Sequence, residues 1–238
     1  NATSTAITID ASENVGIGEG SPDDKVTINV NASDNVRAIH LVGGADITEK
    51  YISIGRTHTV SNDYINSEIR FGTETGGSGA AYLALAVQGN PTATERMRID
   101  SAGRVTMPYQ PVFSTTGTSY TQGVSINTKI IQDAIVIDRG NNFSSGTFTA
   151  PVAGSYSFSH WGLVYPHTEN ATRNMQYKKN GAAIGQLIQG GGDSTNHRTV
   201  AGSIILELAV GDYVDLWLNT SSGKAYASQW NMSGFLIG

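Results

Sequence analysis

Two short stretches of this chain concentrate side chains that recognise hydroxyl and amide groups: Tyr165, His167, Glu169, Asn170 and Arg173, then Asp193, Asn196, His197 and Arg198. An aromatic face for stacking, beside imidazole, amide, carboxylate and guanidinium groups, is the chemistry of polar-ligand binding, above all of sugars. Tyr226, Gln229 and Trp230 form a third such group nearer the end of the chain. Taken singly, these residues read as solvated turn positions or as packing at a subunit interface. Taken together on loops, they read as a binding surface.

Bond-breaking chemistry finds less support. The five histidines (His40, His58, His160, His167 and His197) are scattered and form no HExxH pair. His160 continues an alternation of buried positions and reads as a hydrogen-bonded core or axis residue. No G-x-S-x-G elbow is present. The glycines of "QGGGDSTNH" lack the lysine of a phosphate loop, and the carboxylate pair Asp23-Asp24 sits in a turn sequence. The chain therefore reads as a non-enzyme. No cofactor is expected from these residues, and the spacing of Asp133, Asp138 and Asp193 matches no calcium-loop motif.

Composition narrows the partners. A net charge of −5 with no Lys/Arg run argues against nucleic acid. The longest apolar stretches, such as "AAYLALAV", are too short for a membrane-spanning helix, so no membrane insertion is expected. With no cysteine, disulfides and thiolate metal sites are excluded. The first residue is Asn1 rather than Met, which reads as a processed form or an excised fragment.

The elements that position these loops are strands. Residues 1–110 hold eleven Ile and eight Val against three Leu, a β-branched bias that suits a pleated surface. Val26, Ile28 and Val30 share one face of a strand, as do Leu83, Leu85 and Val87. The motif Ile-Asp-x-x-x-x-Val occurs twice, at Ile9–Val15 and Ile99–Val105, and reads as strand, polar turn, strand. Three copies wrapped on one axis could bury the Ile and Val of such hairpins together, and an ordinary hairpin in a monomeric sheet also fits the pattern. Later, "SYSFSH" puts Tyr156, Phe158 and His160 on one face and serines on the other. "SIILELAV" aligns Ile204, Leu206, Leu208 and Val210, and "DYVDLWLN" aligns Val214, Leu216 and Leu218. Asn180-Gly181 in "KKNGAA" predicts a type I′ hairpin. "KIIQDAIVID" reads as strand rather than helix. The chain is all-β, with a joint at Pro108–Pro111 dividing a β-rich shaft, residues 1–110, from a second domain, residues 111–238.

"FTAPVAGSYSFS", "KKNGAAIG", "LELAVGDYVDLWL" and "MSGFLIG", in that order, resemble successive strands of a C1q/TNF-like jelly-roll domain. The resemblance spans Pro111 to Gly238. It implies a ten-stranded sandwich, a compact homotrimer and a binding module, and it makes Asp133, Asp138 and Asp193 candidate oxygen donors to a calcium ion near the trimer axis. "ERMRIDSAGRV" and "ENVGIG" resemble fibre and spike repeats of tailed bacteriophages, where such segments precede a C-terminal tip or a self-cleaving chaperone. Together they imply a trimeric tail-fibre or receptor-binding tip on the virion surface, hence extracellular. Its partners are expected to be upstream fibre or virion proteins and a bacterial surface glycan or outer-membrane protein. The alternatives are a cellular C1q-like lectin or adhesin, a purely structural fibre segment and, least supported, a glycan depolymerase. Tyr156, Phe158 and Trp217 are expected to cover a flat apolar side at the trimer axis. Counting strands places residues 165–174, 189–198 and 219–224 at one end of the sandwich with Gly238. The "KNGA" and "VGD" turns and residues 228–233, with Trp230 at a distal tip, fall at the other. The long loops, on the flanks and shaft side, are the expected receptor contact.

Overall fold

The computed structural model describes residues 7–17, 26–28, 51–57, 65–73, 80–87, 93–117, 127–132, 134–165, 173–184, 188–190, 198–220, 224–225 and 229–238. The chain divides into two compact units, Asn1–Thr106 and Met107–Gly238. All regular structure among the described residues of both is strand, apart from a single 3-10 residue at Gln229.

In the first unit, β1 (Ile7–Ile9), β2 (Val15–Ile17) and β3 (Val26–Ile28) form a small sheet. A second sheet runs in chain order through β4 (Tyr51–Thr57), β5 (Ile65–Thr73), β6 (Ala81–Val87), β7 (Thr94–Ile99) and β8 (Val105–Thr106), antiparallel throughout. The repeated motif makes the same hairpin twice. Ile9 pairs with Val15 and Ile99 with Val105. In the first copy Asp10 Oδ1 accepts from Ser12 N at 2.8 Å and Asn14 N at 2.9 Å. In the second, Asp100 Oδ1 accepts from Ala102 N and Arg104 N, both at 2.9 Å. An aspartate side chain replaces the ladder bonds that the reversing backbone cannot make. These amide bonds and the Arg104 guanidinium hold the Asp100 carboxyl below its ordinary range.

The second unit packs two sheets face to face. One contains β12 (Phe143–Ser144), β13 (Thr147–Thr149), β19 (Tyr213–Thr220), β15 (Arg173–Lys179) and β16 (Ala182–Ala183) in that order, with β10 (Thr128–Lys129) beside β19 and β17 (Ile188–Gly190) beside β15. The other contains β11 (Ala134–Arg139), β9 (Val112–Thr116), β21 (Asn231–Leu236), β14 (Gly154–Tyr165) and β18 (Arg198–Leu208), with β20 (Lys224–Ala225) beside β14. Asn180 (φ 52°) and Gly181 (φ 79°) form the expected type I′ turn between β15 and β16.

Between the sheets lies one continuous core. Phe113 stacks on Phe143 at 4.7 Å and on Phe148 at 5.0 Å, and Phe148 meets Phe158 edge-on at 5.6 Å. Val214, Leu216 and Leu218 on the central strand β19 are fully buried, as the alternation predicts. Tyr156 and Phe158 are also fully buried in this core, so the expectation that they cover an axis is corrected. Their alternation with serine marks the inward side of β14. Val210, which continues the β18 alternation in the sequence, is exposed beyond the strand's end. Gly162 carries no side chain where the ring of Trp230 lies flat against β14; a Cβ there would overlap that ring.

His160 is the polar member of this core. Its Nδ1 lies 3.0 Å from the Tyr177 hydroxyl, and its Nε2 has no partner among the described residues. Burial holds its pKa down at about 4. The unfolded chain, titrating near 6.5, thus binds a proton that the folded chain refuses. Stability is full above that pH and falls as pH drops toward 4, by about 3 kcal/mol in all. Asp215 acts with the opposite sign, since burial raises its carboxyl above the usual range, so the His160 contribution is read as a difference between proteins. We expect His160→Gln, measured by thermal melting from pH 7 to pH 4.5, to remove most of the parent's acid-induced loss. Identical pH slopes would refute the assignment. Leu216→Asp places an unpaired carboxylate in the core, costs several kcal/mol and should yield insoluble protein.

Candidate functional site

Register decides which loops meet. Val164 pairs with Arg198, Tyr165 with Lys224, and Arg173 with both Thr220 and Gly190. The backbones of Tyr165, Arg173 and Arg198 therefore stand at one end of the sandwich, where residues 166–172, 191–197 and 221–229 connect the strands. Their side chains lie outside the described residues, as do His167, Glu169, Asn170, Asp193, Asn196 and His197 entirely, together with Tyr226.

The opposite end is tied by short turns. Asp212 Oδ1 accepts from Asn180 Nδ2 at 2.8 Å, while its Oδ2 accepts from Ala209 N at 2.9 Å and pairs with Lys179 Nζ at 2.8 Å. The bonds from Lys179 and Asn180 bring the Asp212 carboxyl down to about 2. Pro111 O accepts from Leu236 N at 3.1 Å and Gly238 O from Ser155 N at 2.9 Å, so the chain enters and leaves this unit at the short-turn end.

Strand counting went wrong at residues 221–230. They form a single connection from β19 to β21, with the short β20 laid against β14, rather than two loops around a full strand. Trp230 therefore stands at the long-loop end, and Gly238 stands at the other. Trp230 is also completely buried, which removes it as a tip contact.

The outer faces of the two sheets differ. On the β19 sheet, Trp217 Nε1 donates to Asp215 Oδ1 at 2.7 Å, and Lys178 Nζ sits 3.5 Å from the Trp217 ring centroid. Trp217 is thus engaged in a polar cluster rather than covering an apolar side. On the β14 sheet the register lines up serines: Ser203, Ser159, Ser233 and Ser114 lie side by side, with Ser159 Oγ and Ser233 Oγ 2.8 Å apart. Large apolar side chains flank this serine row: Trp161 on one side, Ile205 and Phe235 on the other, each at least half exposed. The apolar face that the sequence reading assigned to Tyr156, Phe158 and Trp217 consists of these residues instead. The signal lay in the outward set of the same alternation, Trp161 and Ile205.

Among the described residues no three His, Asp or Glu side chains converge as a metal site would require. Asp138 is a turn staple: Oδ1 accepts from Asn142 N at 2.9 Å and Oδ2 from Phe143 N at 3.0 Å. Asp133 and Asp193 lie outside the described residues.

No curated protein matches the sequence. Solved structures with a similar fold include the globular domain of zebrafish complement 1qA (19% identity, TM-score 0.47, 54% of this chain and 98% of that one). Murine APRIL (11% identity, TM-score 0.42, covering 54% and 99%) and Eiger TNF from S. frugiperda (10% identity, TM-score 0.39, covering 54% and 93%) are similar over the same share. The C1q domain family profile matches residues 112–237, more than half of the sequence, and the chain belongs to the C1q domain family.

Proposed function

We propose that this chain is the trimeric receptor-binding tip of a bacteriophage tail fibre, displayed on the virion surface and adhering to a bacterial glycan or outer-membrane protein. The observation that carries the reading is the C1q domain following a sheet that ends in a repeated aspartate-stapled hairpin. Domains of this family are generally binding modules that associate as trimers, and the exposed Trp161, Ile205 and Phe235 supply an apolar surface for such contact. The reading needs neither catalysis nor a cofactor, and calcium is not required for adhesion. A cellular C1q-like adhesin shares the domain but leaves the repeated hairpin without a purpose.

The receptor contact, in this reading, is made by residues 165–173 and 191–198, including Tyr165, His167, Glu169, Asn170, Arg173, Asp193, Asn196, His197 and Arg198. Its support is topological, because those connections leave the end of the sandwich opposite to where the chain enters. Long polar loops thus lie opposite the end at which the chain enters this unit, where strand counting puts them at the same end as Gly238.

Light scattering should report three times 25.1 kDa, and a monomer at micromolar concentration would refute the architecture. The purified protein should bind host cells, compete with phage for adsorption, and do both in EDTA. Replacing residues 167–172 and 191–197 with Gly/Ser should abolish binding with the trimer intact. Val210→Ser, at the other end, should leave it unchanged. Binding that survives the loop replacement but not Val210→Ser would put the contact at the short-turn end.

A further inference from the structure

The five-stranded sheet of the first unit has one face closed by its own side chains and one left bare. On the closed face Ala84 and Ala86 are small, and long neighbours fold over them. Arg70 bonds Glu68 and the Ala93 carbonyl, both at 2.6 Å. Arg98 grips Glu95 through two 2.7 Å bonds and lies 3.7 Å from the Tyr82 ring centroid. Ala84 and Ala86 are buried on this face, with no second sheet against it among the described residues.

The other face is apolar along its two middle rows. Register aligns Ile54, Ile69, Leu85 and Met97 in one row and Phe71, Leu83, Ile99 and Val105 in the next. Leu83, Leu85 and Val87, which the alternation puts on one side of β6, are the exposed set and not the core set. Exposure runs from 37% at Leu83 to 55% at Ile54 on β4–β6, while Met97 and Ile99 on β7 are partly buried. An open trough of about 360 Å³ runs along it between Ile54, Ile69, Leu85 and Val87.

We infer that this face is a second association surface, occupied by the same face of two further copies of the chain around a threefold axis. Area and charge both favour a copy as the occupant. At roughly 200 Å² for a large side chain, the six exposed residues on β4–β6 leave about 500 Å² of apolar surface per chain. Split between two neighbours, that leaves each about 250 Å² of apolar surface, too little for a free partner, which needs roughly 800 Å² of interface, but enough for copies that the second unit already holds at high effective concentration. The paired positions of the two rows carry no charge, so identical faces meet without repulsion. Leu85 stands on the middle strand, where three inward-facing sheets approach most closely. The inference rests on the proposed homotrimer, and it assigns this unit its own share of the assembly.

The chain has no cysteine, so Leu85→Cys introduces its only thiol. Treated with a short bismaleimide, the full-length variant should give cross-linked dimers of the chain on a denaturing gel, with Ser144→Cys, on the second unit, as the unreactive control. The cross-link should disappear on adding Ile69→Lys, while light scattering still reports a trimer. A trimer by light scattering with no cross-link at Leu85→Cys overturns this inference and leaves the homotrimer standing. A monomer with no cross-link overturns both. A thiol shielded from a monofunctional maleimide yet never cross-linked means another part of the same chain, or a different protein, covers the face, which also overturns it.

Discussion

A strand sends alternate side chains to opposite faces, and a sheet is stable only when at least one of those faces is taken out of water. Everything distinctive about this chain follows from how its sheets meet that requirement. In the C1q unit two sheets close each other, with Phe113, Phe148, Phe158 and Leu216 interdigitating and a strand glycine giving Trp230 room. In the first unit no second sheet is described against β4–β8, so the polar face closes itself with Arg–Glu pairs laid over alanines. Both solutions leave an apolar surface outside: Trp161, Ile205 and Phe235 in one unit, Ile54 through Val87 in the other.

Alternation alone sorts residues into two sets without saying which set faces inward, and that limit separates what was legible from what was not. "SYSFSH" was sorted correctly, yet the inward set was assigned to an axis because aromatic residues suit both cores and interfaces. "AYLALAV" misleads in the same way: its larger members look like core, while the structure buries Tyr82, Ala84 and Ala86. Nothing in the local pattern reveals that arginines from neighbouring strands will roof the alanines, since that depends on the register of β5, β6 and β7. Local chemistry was far more readable. Asn180-Gly181 and the two Asp-centred hairpins need only their own few residues to specify a turn. The end at which Trp230 sits was not readable, because the parity of strands depends on whether residues 221–230 contain a full strand. The ligand-type residues from Tyr165 to Arg198 were legible as a chemical set, and only strand topology gathers their backbones at one end.

Aspartate does more for this architecture than its surface frequency suggests. Asp10, Asp100, Asp138 and Asp212 each direct a carboxylate at backbone amides across a reversal. In this structure Asp138 acts as a turn residue, its two oxygens accepting from Asn142 N and Phe143 N. The bonds to Asp100 and Asp212 oppose protonation of those two carboxyls, most strongly at Asp212. Since its bonds hold the Asp212 carboxyl down to about 2, the acid sensitivity expected of the C1q unit between neutrality and pH 4 comes from His160 in the core rather than from the Asp212 turn.

Association also bears on how such a protein binds weakly recognised polar ligands. Recognition of a sugar by a few exposed loop side chains is shallow, because each hydroxyl bond replaces a bond to water and little apolar surface is buried. Three copies on one axis present three equivalent loop ends. Once one has engaged, the others meet a surface at high effective concentration. The gain depends on holding the three ends in fixed relation, and a single trimer contact near the loops could fray as each end pulls on its ligand. A second apolar seam in the first unit would keep the copies together while the loop ends adapt. On this argument the bare face of β4–β8 contributes to adhesion without touching the receptor.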